Sequence, residues 1–217
     1  MKKVALIVAG GKGKRMNSDV PKQFLLLNNV PILMLTIKKF SHFEEIILVL
    51  PETEFNYWHQ LCQDANFNKN YTLVKGGNSR FQSVKNGLSK ITEESIVAIH
   101  DGVRPLISKS LIDALISQAK KRTGVVPIIP IKNSIRKIKG ENSVYIDRTN
   151  LYQVQTPQCF ISSDIKNAYQ QKFSKKFTDD ASVLERNGGK IITILGDQKN
   201  LKITTEEDLK IAKIFMQ

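Results

Sequence analysis

The chain has 217 residues, 41% hydrophobic and 24% charged, which suits one globular domain with a sizeable core. It has no apolar run of the roughly 18 residues that a transmembrane helix needs, so none is expected. The formal net charge of +13 points to a polyanionic partner such as a nucleotide or phosphorylated metabolite, or else to a lysine-rich solvated surface.

Val4–Val8 is a continuous β-branched run and predicts a strand buried on both faces. It runs straight into a charged glycine loop, which favours a strand over a secretion signal. Pro31–Phe40 has helical spacing with proline at its start. Glu45–Leu50 predicts a strand, Glu54–Ala65 a helix and Tyr71–Val74 a third strand. Ser79 and Gln82 have the spacing of a capping box opening a helix to about Lys90. Ile96–His100 predicts a strand, Ser108–Arg122 an amphipathic helix and Val125–Pro130 another strand. Ser134–Tyr145 then alternates polar and apolar residues around Lys139-Gly140-Glu141-Asn142, predicting a hairpin that projects as an arm. Helices near Asp164–Phe173 and Asp179–Asn187, a strand at Ile191–Leu195 and a helix near Glu206–Phe215 complete the chain. Thr178 has the place of a helix cap, and Thr204 with Glu207 that of a second capping box. Repeated βα units predict an α/β fold, with a mostly parallel sheet covered by helices on both faces.

Ligands of such sheets bind beyond the carboxyl ends of the strands, so the loops there carry the chemistry. The first is Ala9-Gly10-Gly11-Lys12-Gly13-Lys14-Arg15-Met16, followed by Pro21-Lys22-Gln23. Its glycines let backbone amides approach phosphate oxygens, and Lys14, Arg15 and Lys22 supply charge. It matches neither a Walker loop, which needs Gly-Lys-Ser/Thr, nor a dinucleotide fingerprint, whose third glycine falls at Met16. The second loop, Gly76-Gly77-Asn78-Ser79-Arg80, reads either as a platform for a base or as a tight turn with a helix cap at Ser79. In the third, His100-Asp101-Gly102-Val103-Arg104-Pro105, Asp101 suits a ribose hydroxyl or Mg²⁺. Arg104 there suits a phosphate, or pairing with Asp101; His100 reads as structural. Spacing alone does not single out Asp147-Arg148, Thr156-Pro157-Gln158, Thr178-Asp179-Asp180 or Lys202. Cys62 and Cys159 have neither metal-ligand nor redox-motif spacing, which predicts reduced thiols in a cytoplasmic protein. The lysines are scattered, with few aromatics among them, against a nucleic-acid groove.

Taken together, these loops resemble the cytidylyltransferases that act on small polyol phosphates, and among them the 2-C-methyl-D-erythritol 4-phosphate cytidylyltransferase family of the non-mevalonate isoprenoid pathway. The matching stretches run in order: Ala9–Met16 with Pro21-Lys22-Gln23, Gly76–Ser83, His100–Pro105, Asp147–Phe160, Thr178–Glu185 and Asn200–Leu209. The chain departs from the family where Ala9-Gly10-Gly11 replaces Ala-Ala-Gly, at Asn78, and at Asn133-Ser134. Ala-Gly-Gly also occurs in ribitol-5-phosphate cytidylyltransferases, which makes that acceptor the alternative; a non-catalytic nucleotide sensor is an alternative of another class.

The resemblance implies a Rossmann-like domain with a β-arm over residues 134–155, and a homodimer whose sites borrow arm residues from the partner. It implies that Arg15 and Lys22 stabilise the transition state. Ala9, Gly10, Gly77, Asn78 and Ser83 would surround cytosine, and Asp101 and Gly102 the ribose. Gly11, Arg15, Lys22 and Lys202 would hold the triphosphate of CTP. Arg104, Ser134, Arg148, Thr156, Thr178 and Lys202 would position the polyol phosphate, with Ser134 and Arg148 from the partner. Mg²⁺ would be held mainly by CTP phosphates, with no protein ligand assigned. No nucleic acid and no membrane are expected as partners.

Overall fold

A computed structural model of the chain describes residues 1–10 and 20–217. The first strand, β1 (Lys2–Val8), is followed by a 3-10 turn (Lys22–Phe24), a short hairpin of β2 (Leu26–Leu27) and β3 (Val30–Pro31), and α1 (Ile32–Lys39). Next come β4 (Glu45–Leu50), α2 (Phe55–Asp64), β5 (Thr72–Lys75), α3 (Arg80–Leu88), β6 (Ser95–Asp101), α4 (Lys109–Ser117) and β7 (Thr123–Pro130). The hairpin expected after Pro130 is β8 (Ile135–Lys139) and β9 (Asn142–Ile146), turning at Gly140, whose φ of 59° is left-handed. The chain then forms β10 (Tyr152–Val154), β11 (Gln158–Ile161), α5 (Ser162–Ala168), α6 (Asp180–Arg186), β12 (Lys190–Leu195) and α7 (Glu206–Phe215).

Strands β5, β4, β1 and β6 lie side by side and parallel, and β12 is parallel to β7. Between β6 and β7 runs β11, antiparallel to both. Two antiparallel steps restore direction, so β7 and β12 point the same way as β6. All six parallel strands therefore end on one rim of the sheet, and β11 begins there. Val125 faces both Ile192 and Cys159, and Ile128 faces both Leu195 and Val154. Thus β10 and β11 share the edge of β7 opposite β12, interrupted by Gln155-Thr156-Pro157.

Burial of both sheet faces explains the continuous apolar strands. Val4, Leu6 and Val8 of β1 join Val84, Leu88, Ile165 and Leu184 on the face covered by α3, α5 and α6. Ala5, Ile7 and Ala9 join Met34, Ile37, Trp58, Ile112 and Leu115 on the face covered by α1, α2 and α4. A smaller cluster of Leu27, Ile32, Val103, Ile203 and Ala212 fixes α7 beside the end of β6.

Several local expectations change. The helix predicted to Arg122 stops at Ser117, because the chain turns through Arg122 at φ 57° and bridges Lys120 to Thr123. That predicted to Phe173 ends at Ala168. Only half of the first capping box forms: the Ser79 side chain accepts from the Gln82 N–H, while the Gln82 side chain turns to Asn86. The final helix is capped by Thr205 with Asp208, not Thr204 with Glu207. The cap of α6 is Asp179, reciprocated by Ser182, while the Thr178 N–H donates to the Ser182 hydroxyl.

Candidate active site

The rim where the parallel strands end holds a cleft of about 280 Å³. Its floor comes from Val8, Ala9 and Gly10 after β1, and one wall from Gly77, Asn78, Ser79, Arg80 and Ser83 at the β5–α3 junction. Asp101 and Val103 after β6 with Lys202 form another side, and Lys22 and Gln23 the remainder. The predicted nucleotide residues Ala9, Gly10, Gly77, Asn78, Ser83, Asp101 and Lys202 thus meet, together with predicted catalytic Lys22. Gly11 and Arg15 lie outside the described residues.

Two glycines are required by packing. A Cβ on Gly77 would stand 2.2 Å from Gln82 Cγ, and one on Gly102 would stand 2.7 Å from Ala9 Cβ. Gly102 lies beneath the cleft, its N–H donating to the Val8 carbonyl at 2.9 Å. The Ser83 hydroxyl, 3% exposed, accepts the Gly77 N–H at 3.0 Å and so braces the second loop.

Asp101 is the electrostatic centre. Its carboxylate meets Lys202 Nζ at 3.1 Å, Arg104 Nε at 3.2 Å and Arg80 Nε at 3.6 Å. Burial acts to raise its pKa, but Arg80, Lys202 and Arg104 together overcome that and hold the carboxyl well below the usual range. Asp101 therefore stays ionised, and the pairing leaves an excess of cations around it.

Arg80 was missed as a site residue from sequence. Its guanidinium makes a two-pronged contact with Asp180, at 2.8 and 2.7 Å, and Asp180 also accepts the Tyr169 hydroxyl at 2.5 Å. One signal was available. Arg80 is the first residue of α3, whose first turn has no acidic residue, and a cation at a helix N-terminus is disfavoured unless a carboxylate elsewhere meets it.

Arg104 and Thr156 take up buried places. Arg104 is 8% exposed and donates from Nη1 to the Asn200 carbonyl at 2.8 Å, besides its contact with Asp101. With the Ile203 N–H donating to the Val103 carbonyl at 2.9 Å, this pins the Lys202 loop to the end of β6. The Thr156 hydroxyl accepts the Asp101 N–H at 3.0 Å and lies 3.0 Å from His100 Nδ1. His100 is fully buried, and burial lowers its pKa to about 4, leaving the ring neutral near pH 7. Ser134, Arg148 and Thr178 are exposed and do not line this cleft; Arg148 donates to the Lys132 carbonyl.

Among the described residues no group of three or more His, Cys, Asp or Glu is placed to hold a metal ion, and no helix is long and apolar enough to cross a membrane. The model of the 2-C-methyl-D-erythritol 4-phosphate cytidylyltransferase family matches residues 3–217. The chain belongs to this family. A cytidylyltransferase of that name from Azobacteroides pseudotrichonymphae is 48% identical over 220 residues, spanning 99% of this chain and 98% of the relative. One from Porphyromonas gingivalis is 44% identical over 217 residues, with the same coverage. The solved structure of the Francisella tularensis cytidylyltransferase superposes with a TM-score of 0.82 at 29% identity, covering 99% of each chain. The chain is thus a nucleotidyltransferase, with the family's fold over its whole matched length.

Proposed function

We propose that the chain transfers CMP from CTP to 2-C-methyl-D-erythritol 4-phosphate, giving 4-diphosphocytidyl-2-C-methyl-D-erythritol and pyrophosphate. The observation that carries this reading is Asp101 within a cage of three cations, facing a wall of glycine and alanine backbone. The backbone wall suits a flat base held by main-chain groups, and the carboxylate accepts hydrogen bonds from ribose hydroxyls. Lys22 and Lys202 suit the triphosphate between them.

The acceptor's phosphate monoester has a second pKa of about 6, so it is largely dianionic near neutrality and needs no strong base. One of its oxygens bonds to the α-phosphorus of CTP while the bond from that phosphorus to the departing pyrophosphate breaks in line. The protein aligns the two and neutralises the growing charge through Arg15, Lys22 and Lys202. Mg²⁺ carried by the triphosphate adds charge neutralisation when bound. The only carboxylate lining the cleft among the described residues, Asp101, is already matched by Arg80, Arg104 and Lys202, which fits an ion held mainly by phosphate oxygens.

The reading includes a homodimer in which the β8–β9 arm of one protomer reaches the partner's cleft. Two observations support it. Ser134 and Arg148 stand outside the cleft of their own chain, and the arm and its base expose Ile138, Tyr145, Tyr152 and Val154. Free Cys62 and Cys159 support a reducing, cytoplasmic setting.

The deciding experiment is a pyrophosphate-release assay with CTP, Mg²⁺ and a panel of polyol phosphates, with ATP, GTP and UTP as alternative donors. Turnover with CTP and 2-C-methyl-D-erythritol 4-phosphate is expected. Preference for ribitol 5-phosphate would reassign the acceptor, and CTP binding without pyrophosphate release would make the chain a sensor.

A further inference from the structure

We propose that His100 is a positioning residue of the nucleotide site, acting through the Thr156 hydroxyl on the backbone of Asp101. The proposal rests on the reading that Asp101 meets the nucleotide. The geometry fixes the direction of each hydrogen bond. His100 Nε2 lies 3.1 Å from the Arg104 carbonyl, which can only accept, so the ring proton sits on Nε2. In the neutral ring Nδ1 is then a bare acceptor, and the hydroxyl 3.0 Å away is that of Thr156. Thr156 accordingly gives its proton to His100 and uses an oxygen lone pair to accept the Asp101 N–H.

The chain of donors runs from the Asp101 N–H through Thr156 and His100 to the Arg104 carbonyl. It closes on itself, because Arg104 Nε returns to Asp101 Oδ2 and the Arg104 N–H to the Asp101 carbonyl. The Phe40 ring, 5.0 Å from the imidazole, flanks His100. The Thr156 side chain has no second proton. In this arrangement its one proton is engaged by His100, and the side chain holds the point at which Asp101 leaves β6 for the cation cage.

The test separates the two ends of the ring. His100→Asn keeps an acceptor near Nδ1, whereas His100→Gln keeps a donor near Nε2 and loses that acceptor. Thr156→Ser keeps the hydroxyl and Thr156→Val removes it. We expect His100→Gln and Thr156→Val each to raise KM for CTP about tenfold, the cost of a buried polar group left unpaired. The acceptor's KM and kcat change less. His100→Asn and Thr156→Ser recover most of the loss, and the double variant H100Q/T156V is no worse than either single one. Nitrogen NMR of the wild type should show a neutral His100 protonated on Nε2, with the Nδ1 signal moving in Thr156→Val.

Protonation on Nδ1, additive effects of the two substitutions, or an unchanged KM in His100→Gln overturns the proposal. Should the wild type release no pyrophosphate, the reaction assigned above falls. The NMR result, with the CTP dissociation constant measured across the same variants, then decides on the relay alone. If the His100 variants fail to fold, the wild-type tautomer and the Thr156 pair decide it.

Discussion

Arg80 grips Asp180 with both terminal nitrogens, Nη1 to Oδ1 at 2.8 Å and Nη2 to Oδ2 at 2.7 Å, while its Nε turns toward Asp101 at 3.6 Å. One guanidinium thus ties the first turn of α3 to that of α6 and lends the rest of its charge to the cleft. Asp180 is wholly buried. Asp180→Ala leaves Arg80 and the Tyr169 hydroxyl without their partner, and should cost about 3 kcal/mol of stability in urea unfolding. An unchanged urea midpoint would show that the pair is dispensable to the fold.

Arg15→Ala and Lys22→Ala should lower kcat by about 10²–10³ each, as loss of one electrostatic contact to a transition state does. The urea midpoint should hardly move. Near wild-type turnover in both would remove their assigned role.

Mixing subunits tests the arm. Arg148→Ala and Lys22→Ala protomers, each nearly inactive alone, should recover part of the activity as a heterodimer, because one of its two sites receives both wild-type residues. No recovery in verified heterodimers argues for a site contained within one chain.

Two glycines in neighbouring loops should respond differently to the same methyl group. Among the described residues a Cβ on Gly10 meets nothing closer than Ser83 Oγ at 3.7 Å, so Gly10→Ala should leave stability nearly unchanged. At Gly102 the added carbon would sit 2.7 Å from Ala9 Cβ and 3.0 Å from Leu33 Cδ1, so Gly102→Ala should cost about 1–3 kcal/mol by overpacking. Thermal melts of the two variants side by side provide the comparison.

Acid should weaken the fold through His100. Burial lowers the imidazole from 6.5 to about 4, so between those values the unfolded chain binds a proton that the folded chain does not. Stability is complete above 6.5, declines as pH falls toward 4 and gains no further slope from this group below that. The loss is about 3 kcal/mol at 1.36 kcal/mol per unit. Asp101, held low by its cations, contributes stability above its ordinary 3.8 and loses it only at lower pH. Urea midpoints from pH 7 to 4 should therefore slope in the wild type and much less in His100→Asn.

The elements legible in sequence are those whose burial pattern is local. Val4–Val8 and Glu45–Leu50 are apolar on both faces because helices cover both, and the Lys139–Asn142 turn announces the hairpin through Gly140. Strands β10 and β11 were not legible, because Tyr152–Val154 and Gln158–Ile161 are short and divided by Thr156-Pro157; only pairing with distant β7 and β6 makes them strands. The site divides similarly. Ala9, Gly77 and Asp101 were found from loops at strand ends, whereas the partners of Arg80 and Thr156 lie 100 and 56 residues away in sequence. Distances of that kind are set by sheet order, which a local pattern does not carry.

The reversed strand β10 also settles how the arm is attached. The chain leaves β7 at Pro130, and on its return Tyr152 pairs with that same residue. Everything in residues 131–151 is thus an excursion whose two feet stand next to each other. Such an excursion can lengthen, shorten or change its exposed apolar residues, Ile138 and Tyr145 among them, without altering any strand's place in the sheet. The arm's length and surface can therefore evolve while the nucleotide cleft keeps its geometry.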